Sequence, residues 1–92
     1  MKWLEIIKVR MAGTGEAEAV SGMLEQVAGM LKTAPGLKRS GIYTHASVPG
    51  DLMITLTWGK EPLPPFGSDL ANSLSHELKR HGLVDHSVWS ER

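Results

Sequence analysis

The sequence predicts an α+β sandwich in the order strand, helix, strand, strand, helix, strand. Three observations carry that prediction. Asp51-Leu52-Met53-Ile54-Thr55-Leu56-Thr57-Trp58 alternates large apolar residues with Met and Thr, the period of a strand covered on both faces. Two stretches with helical apolar spacing, 14–34 and 68–81, flank it. Pro-Gly and Gly-rich punctuation separates the segments at 12–15, 35–36, 49–50 and 59–67.

Taken in order, Trp3 to Met11 reads as a central strand, with Trp3, Ile7, Val9 and Met11 on one face and Leu4 and Ile6 on the other. Ala12-Gly13-Thr14-Gly15 breaks it. Thr14 is the expected N-cap of the first helix, and Glu16 and Glu18 fall in the first turn, where the helix dipole favours carboxylates. That helix runs to about Ala34 on a stripe of Val20, Met23, Leu24, Val27, Met30, Leu31 and Ala34, with Gly22 and Gly29 on its outer side. Pro35-Gly36 ends it. Ile42, Tyr43 and Thr44 then mark a second strand within 37–48, and Val48-Pro49-Gly50-Asp51 forms the turn of a hairpin into the third. Gly59 to Gly67 is too rich in Pro for regular structure. Ser68 caps the second helix, which buries Leu70, Leu74 and Leu78 and is expected to run to about His81, with Gly82 as its stop. Leu83 to Glu91 supplies a last strand at an edge.

This order is the ferredoxin-like arrangement, a four-stranded antiparallel sheet with two helices on one face. Residues 1–92 are read as one such domain. Leu4, Ile6 and Met53 would then lie on the uncovered face, an apolar patch of the kind that marks an interface. A twofold homodimer packed sheet to sheet is the expectation.

Composition narrows the function classes. Ten Lys+Arg balance ten Asp+Glu at a pI near 6.9, without the basic surplus of a nucleic-acid binder. The chain has no cysteine, which removes disulfides, thiolate nucleophiles and Cys-ligated metals. No run approaches the length of a membrane span, and Glu5, Lys8 and Arg10 interrupt the opening apolar run, so it does not read as a signal peptide. A cytoplasmic protein is expected.

The apparent motifs have simple structural readings. The histidines of His76-Glu77-Leu78-Lys79-Arg80-His81 are five apart, about 140° around a helix, and cannot chelate one ion as an HExxH pair does. No metal site is expected. Gly13-Thr14-Gly15 places Glu18 at the third position of a dinucleotide fingerprint, where its charge would repel a pyrophosphate, and a capping turn accounts for it. The PxxP spacing of Pro62-Leu63-Pro64-Pro65 fits a stiff loop at the mouth of a pocket better than a docking peptide. His45 and His86 fall on strands, where a lone His is usually a surface or hydrogen-bonded residue.

The opening MKWLEIIKVR, the Gly15-Glu16 start of the first helix, Pro35-Gly36, and the hairpin running into ITLTW together resemble a known family. The chain looks like a dimeric α/β-barrel protein of the antibiotic-biosynthesis-monooxygenase type, a family that includes the haem-degrading monooxygenases. The resemblance spans nearly the whole chain, and its most specific feature is the Trp that closes the third strand. It implies a pocket between sheet and helices in each half of a dimer. There, some members oxidise polycyclic phenolic substrates with dioxygen and no metal or flavin, and others bind and cleave haem. The haem-degrading pattern has an Asn on strand one, a Trp closing strand three and a His on helix two. By position these become Ile7, which has no polar group, Trp58 and His76.

On the helical wheel His81 falls about 20° from Leu74 and His76 about 200° away, so His81 is expected inward and His76 outward. The site expected from these readings has Trp58, Phe66, Ile7, Trp3 and Leu74 as pocket walls and His81 as base or polar anchor. It would work without a cofactor, haem being the alternative, on a small aromatic or polyketide-like ligand. The competing expectation is a non-enzymatic dimer that binds a ligand or a protein partner.

Overall fold

The computed structural model describes residues 2–11, 17–48, 50–59 and 64–92, with side chains described from 21 onward in the first helix. The expected N-cap Thr14, the Gly13-Thr14-Gly15 turn, Pro49 and residues 60–63 of the Pro-rich loop lie outside them. The elements are β1 (Trp3–Met11), α1 (Ala17–Lys32), β2 (Leu37–Thr44), β3 (Asp51–Trp58), α2 (Asp69–Leu78) and β4 (Gly82–Ser90). All pairings in the four-stranded sheet are antiparallel, in the order β2-β3-β1-β4. This is the ferredoxin-like sandwich, with β2 and β4 at the edges.

Alternation along the strands sorts the two faces. Ile7 and Val9 of β1 and Leu52, Ile54 and Leu56 of β3 are buried with Met23 and Val27 of α1 and Ala71, Leu74 and Leu78 of α2. Each helix thus presents one apolar stripe to one face of the sheet, which is the main stabilising term in a domain this small. Gly22 and Gly29 are exposed, and a Cβ at either would meet nothing. No described helix lies on the opposite sheet face. Leu4, Ile6 and Met53 are half-buried there, and Tyr43, Leu83 and Trp89 are exposed. Tyr43 folds its ring back over Gly41, two residues earlier on the same strand.

Helix α2 is shorter than its apolar spacing predicts. Ser68 caps it as expected, its hydroxyl accepting from Ala71 N at 3.1 Å. The helix ends at Leu78, and the chain then tightens. Arg80 N donates to Glu77 O at 3.2 Å and His81 N to Leu78 O at 2.9 Å, three residues back. Gly82 is the first residue of β4, paired with Met11, and not the helix stop. His81 therefore lies in a turn, outside the wheel that oriented it inward, and is half-buried.

The β2–β3 connection is held by a histidine. His45 Nδ1 accepts from Ser47 N at 3.0 Å and Val48 N at 2.9 Å, and His45 N donates to Asp51 O at 2.9 Å. Arg10 and Asp51 pair across the open face near this end, at 3.2 Å, with Arg10 exposed and Asp51 half-buried. Such a pair adds little to stability.

Candidate functional site

The inner face of β1 carries one interruption in its apolar alternation, and the site is built on it. Glu5 lies between Trp3 and Ile7 on the helix-covered side and has no exposed surface. A carboxylate in that position is tolerated only when hydrogen bonds replace its hydration. Its neighbours supply them. On one side, Glu5 pairs with Leu56 of β3, which brings Trp58 diagonally alongside, and the Trp58 indole N–H donates to Oε1 at 2.7 Å. On the other side it pairs with Val88 of β4, and His86 lies on the opposite diagonal with Nε2 2.7 Å from Oε2. Above the sheet, the backbone N–H of Ser68 donates to Oε2 at 3.1 Å.

The last contact is a capping box assembled from separate elements. In the usual box a Glu three residues into the helix reaches back to the N-cap N–H. That position in α2 is Ala71, and the carboxylate comes instead from β1. Gly67 completes the enclosure. Its φ is +90°, and a Cβ there would run into Glu5 Oε2 and the His86 ring, so the loop backbone lies directly on the pair. Glu5 thus ties three elements of the fold to one carboxylate.

The residues expected to form the pocket are divided by this geometry. Trp58 is half-buried and fixed by Glu5; Trp3, paired with it, is half-buried beside it. Phe66 is 68% exposed, with its carbonyl accepting from Asn72 Nδ2 at 3.1 Å. Ile7 and Leu74 are in the core with no accessible surface to offer a ligand. The structure does not bring His81 to Trp58. His81 precedes Gly82, which pairs with Met11, whereas Trp58 pairs with Trp3 at the other end of β1. At about 3.3 Å per residue those ends are about 26 Å apart.

His76 is exposed, on the surface of α2 that lines a groove with Gln26, Met30 and Asn72. With Ile7 sealed in the core and His76 on that outer groove, the residues at the haem-degrading positions do not form a haem-binding set. Among the described residues, no group of His, Asp and Glu is gathered as metal ligands. No described helix is long and apolar enough to cross a membrane. A concavity of about 560 Å³ lies on the open face among Lys8, Tyr43, Met53 and Leu83, toward the end of the sheet away from Trp58.

Glu5 is the polar group that the sequence reading passed over, and His86, read as a surface or hydrogen-bonded residue, is its partner. The signal for Glu5 was present, since a charged residue in the inward register of Trp3, Ile7, Val9 and Met11 is either a break in the strand or a buried carboxylate with partners. His86 sits in the inward register of Val84 and Val88. Nothing in the sequence alone links the two positions.

The chain is a ferredoxin-like sandwich with a buried polar node of Glu5, Trp58 and His86 toward the Trp58 end of the sheet. No family model and no curated protein matches the sequence. Solved structures do match. SnoaB, a cofactor-independent oxygenase from Streptomyces nogalater, superposes with a TM-score of 0.69 at 10% identity, over 99% of this chain and 93% of that one. A dimeric ferredoxin-like protein of unknown function from Thermobifida fusca gives 0.73 at 11% identity, over 99% and 92%. An EthD family protein from Bacillus halodurans gives 0.68 at 11%, over 98% and 99%. At these identities the likeness is one of fold.

Proposed function

We propose that the chain is a small dimeric, monooxygenase-like enzyme that acts without a cofactor on an aromatic or polyketide-like molecule held beside Trp58. The observation that carries this reading is the Trp58 indole, fixed by a 2.7 Å bond to a fully buried carboxylate at the end of β3. Such a bond holds an aromatic wall in one orientation, which is what positioning a flat substrate requires. The fold likeness to a protein described as a cofactor-independent oxygenase supports the reaction class. Dimerisation is supported by the open-face residues Leu4, Ile6, Met53, Leu83 and Trp89 and by the dimeric ferredoxin-like neighbour.

The reaction balances without an external reductant. An activated methylene of the substrate becomes a carbonyl; one atom of dioxygen enters the carbonyl and the other leaves as water with the two hydrogens. All four electrons come from the substrate, so the protein has to supply a base, a fixed orientation and exclusion of bulk water. The test is oxygen uptake with a panel of polycyclic phenols and aromatic ketones, including anthrone, alongside a thermal-shift screen of the same compounds. Uptake with formation of the corresponding ketone or quinone is expected. Binding without uptake assigns the chain to the competing class, a non-enzymatic ligand-binding dimer.

A further inference from the structure

We propose that His86 is the general base of this site and Glu5 the residue that positions it, with an acidic C–H or O–H of a flat aromatic ligand as the proton donor. The assignment rests on the reading of the Trp58 site given above, and the observations behind it are geometric. Glu5 Oε2 engages Nε2 of His86 at 2.7 Å, and among the described residues the hydrogen bonds of the ring run through Nε2 alone. The carboxylate has no exposure, whereas the His86 side chain keeps 15% of its surface. Of the pair, it is the imidazole that keeps exposed surface, and among the described residues Nδ1 has no hydrogen-bond partner.

A carboxylate that accepts from Trp58, Ser68 and His86 fixes the Nε2–H tautomer and leaves Nδ1 with its lone pair. This is the arrangement in which a buried acid orients a histidine base, with the two ring nitrogens exchanged relative to the serine-protease case. In the step assigned here, Nδ1 takes a proton from the ligand, leaving a ligand anion and an imidazolium whose Nε2–H still donates to Glu5. No electron is transferred. The positive ring is stabilised by the adjacent carboxylate in a site partly closed to water, where such a pairing is stronger than in bulk solvent.

The other histidines do not offer this arrangement. His45 spends Nδ1 on the Ser47 and Val48 amides, His76 is on an exposed groove, and His81 is about 20 Å along the sheet from Glu5 at about 3.3 Å per residue. Aromatic surface lies at the correct end, in the half-buried Trp58 and Trp3 and the exposed Phe66. That surround favours a planar ring system as the acid. Gly67 keeps the loop backbone against the pair and closes one side of the ring.

Proton abstraction can be read apart from oxygenation. Anthrone, which has an acidic methylene, is incubated with the full chain in D₂O under argon, and deuterium wash-in is followed by mass spectrometry. The wild type should exchange at least tenfold faster than His86→Gln, which keeps an N–H for Glu5 and should fold. Equal exchange by the two overturns the assignment of His86. Loss of exchange in His86→Gln together with retained oxygen uptake also overturns it, while leaving the oxygenase reading intact. Long-range ¹H–¹⁵N spectra give a readout that does not depend on any ligand. The wild type should show the Nε2–H tautomer of His86, and Glu5→Gln should lose that bias. An Nδ1–H tautomer in the wild type refutes the dyad even if oxygen uptake is observed, and absence of uptake and exchange with the expected tautomer refutes the enzyme reading and with it the role of His86 as base.

Discussion

Replacing Glu5 by Ala removes the acceptor shared by the Trp58 indole, the Ser68 amide and the His86 ring, and the stability loss can be worked from those contacts. Each buried donor left without a partner costs about 1–3 kcal/mol. Three of them would sum to roughly 3–9 kcal/mol, before two offsets. Water can enter the vacated space and satisfy part of the set, and the desolvation penalty of the carboxylate itself disappears. The net expectation is a loss of about 3–5 kcal/mol, in the range seen when one member of a buried polar pair is deleted. For a chain of 92 residues, total stability is of order 5–14 kcal/mol, so the variant should be marginal. With a urea m-value of about 1.5 kcal/mol/M, the unfolding midpoint should fall by about 2–3 M. Wild type and variant must be compared at one protein concentration, because any dimerisation adds to the apparent stability. Glu5→Gln, which can still accept from Trp58 but turns its NH₂ toward both Ser68 and His86, should fall between them. A Glu5→Ala stability within about 1 kcal/mol of wild type would show that the carboxylate does not hold the three donors.

Three other outcomes are expected. Met53→Lys, on the open face, should leave the fold intact by circular dichroism and give a monomer by sedimentation at concentrations where the wild type is dimeric, since a buried charge is placed at the proposed seam. Gly67→Ala and Gly36→Ala both add a Cβ at positive φ, but at Gly36 the nearest side-chain atom is Trp58 at an ordinary 3.9 Å, whereas at Gly67 it is driven into Glu5 and His86. Gly36→Ala should cost about 1 kcal/mol and Gly67→Ala at least 2, by urea unfolding. Gly22→Ala and Gly29→Ala, in open space on α1, should each raise stability by about 1 kcal/mol in the same assay.

The fold was legible because it depends on patterns that one strand or helix displays by itself. β1 runs over Trp3–Met11 as its two-residue period predicts, and β3 over Asp51–Trp58. The open face was legible for the same reason, since Leu4, Ile6 and Met53 are out of phase with the core positions. Errors arose where a boundary depended on neighbours. The apolar stripe of α2 gave no sign that residues 79–81 would tighten into a turn, because Gly82, a plausible helix stop, is taken up as the first ladder residue opposite Met11. The placement of His81 failed with that boundary: a wheel orients a side chain only while the chain remains helical.

The site was less legible because it is a property of register across three strands. Glu5, Trp58 and His86 are separated by 53 and 81 residues along the chain, and they meet because β1 lies between β3 and β4. Trp58 could be singled out alone, as the aromatic end of an apolar stripe. Its polar companions could not, since Glu5 in a strand beside Lys8 and Arg10 has the look of an ordinary surface charge. What distinguishes it is phase: Lys8 and Arg10 face the open side, and Glu5 faces the core. The same carboxylate that fastens Trp58, the α2 cap and His86 has in the imidazole, alone among its described partners, a titratable atom to offer a ligand. Structural tie and positioned base are therefore not competing roles here. A base held by a mobile acid would sample both tautomers, whereas one held by a carboxylate locked from two other directions has its reactive nitrogen chosen by the fold.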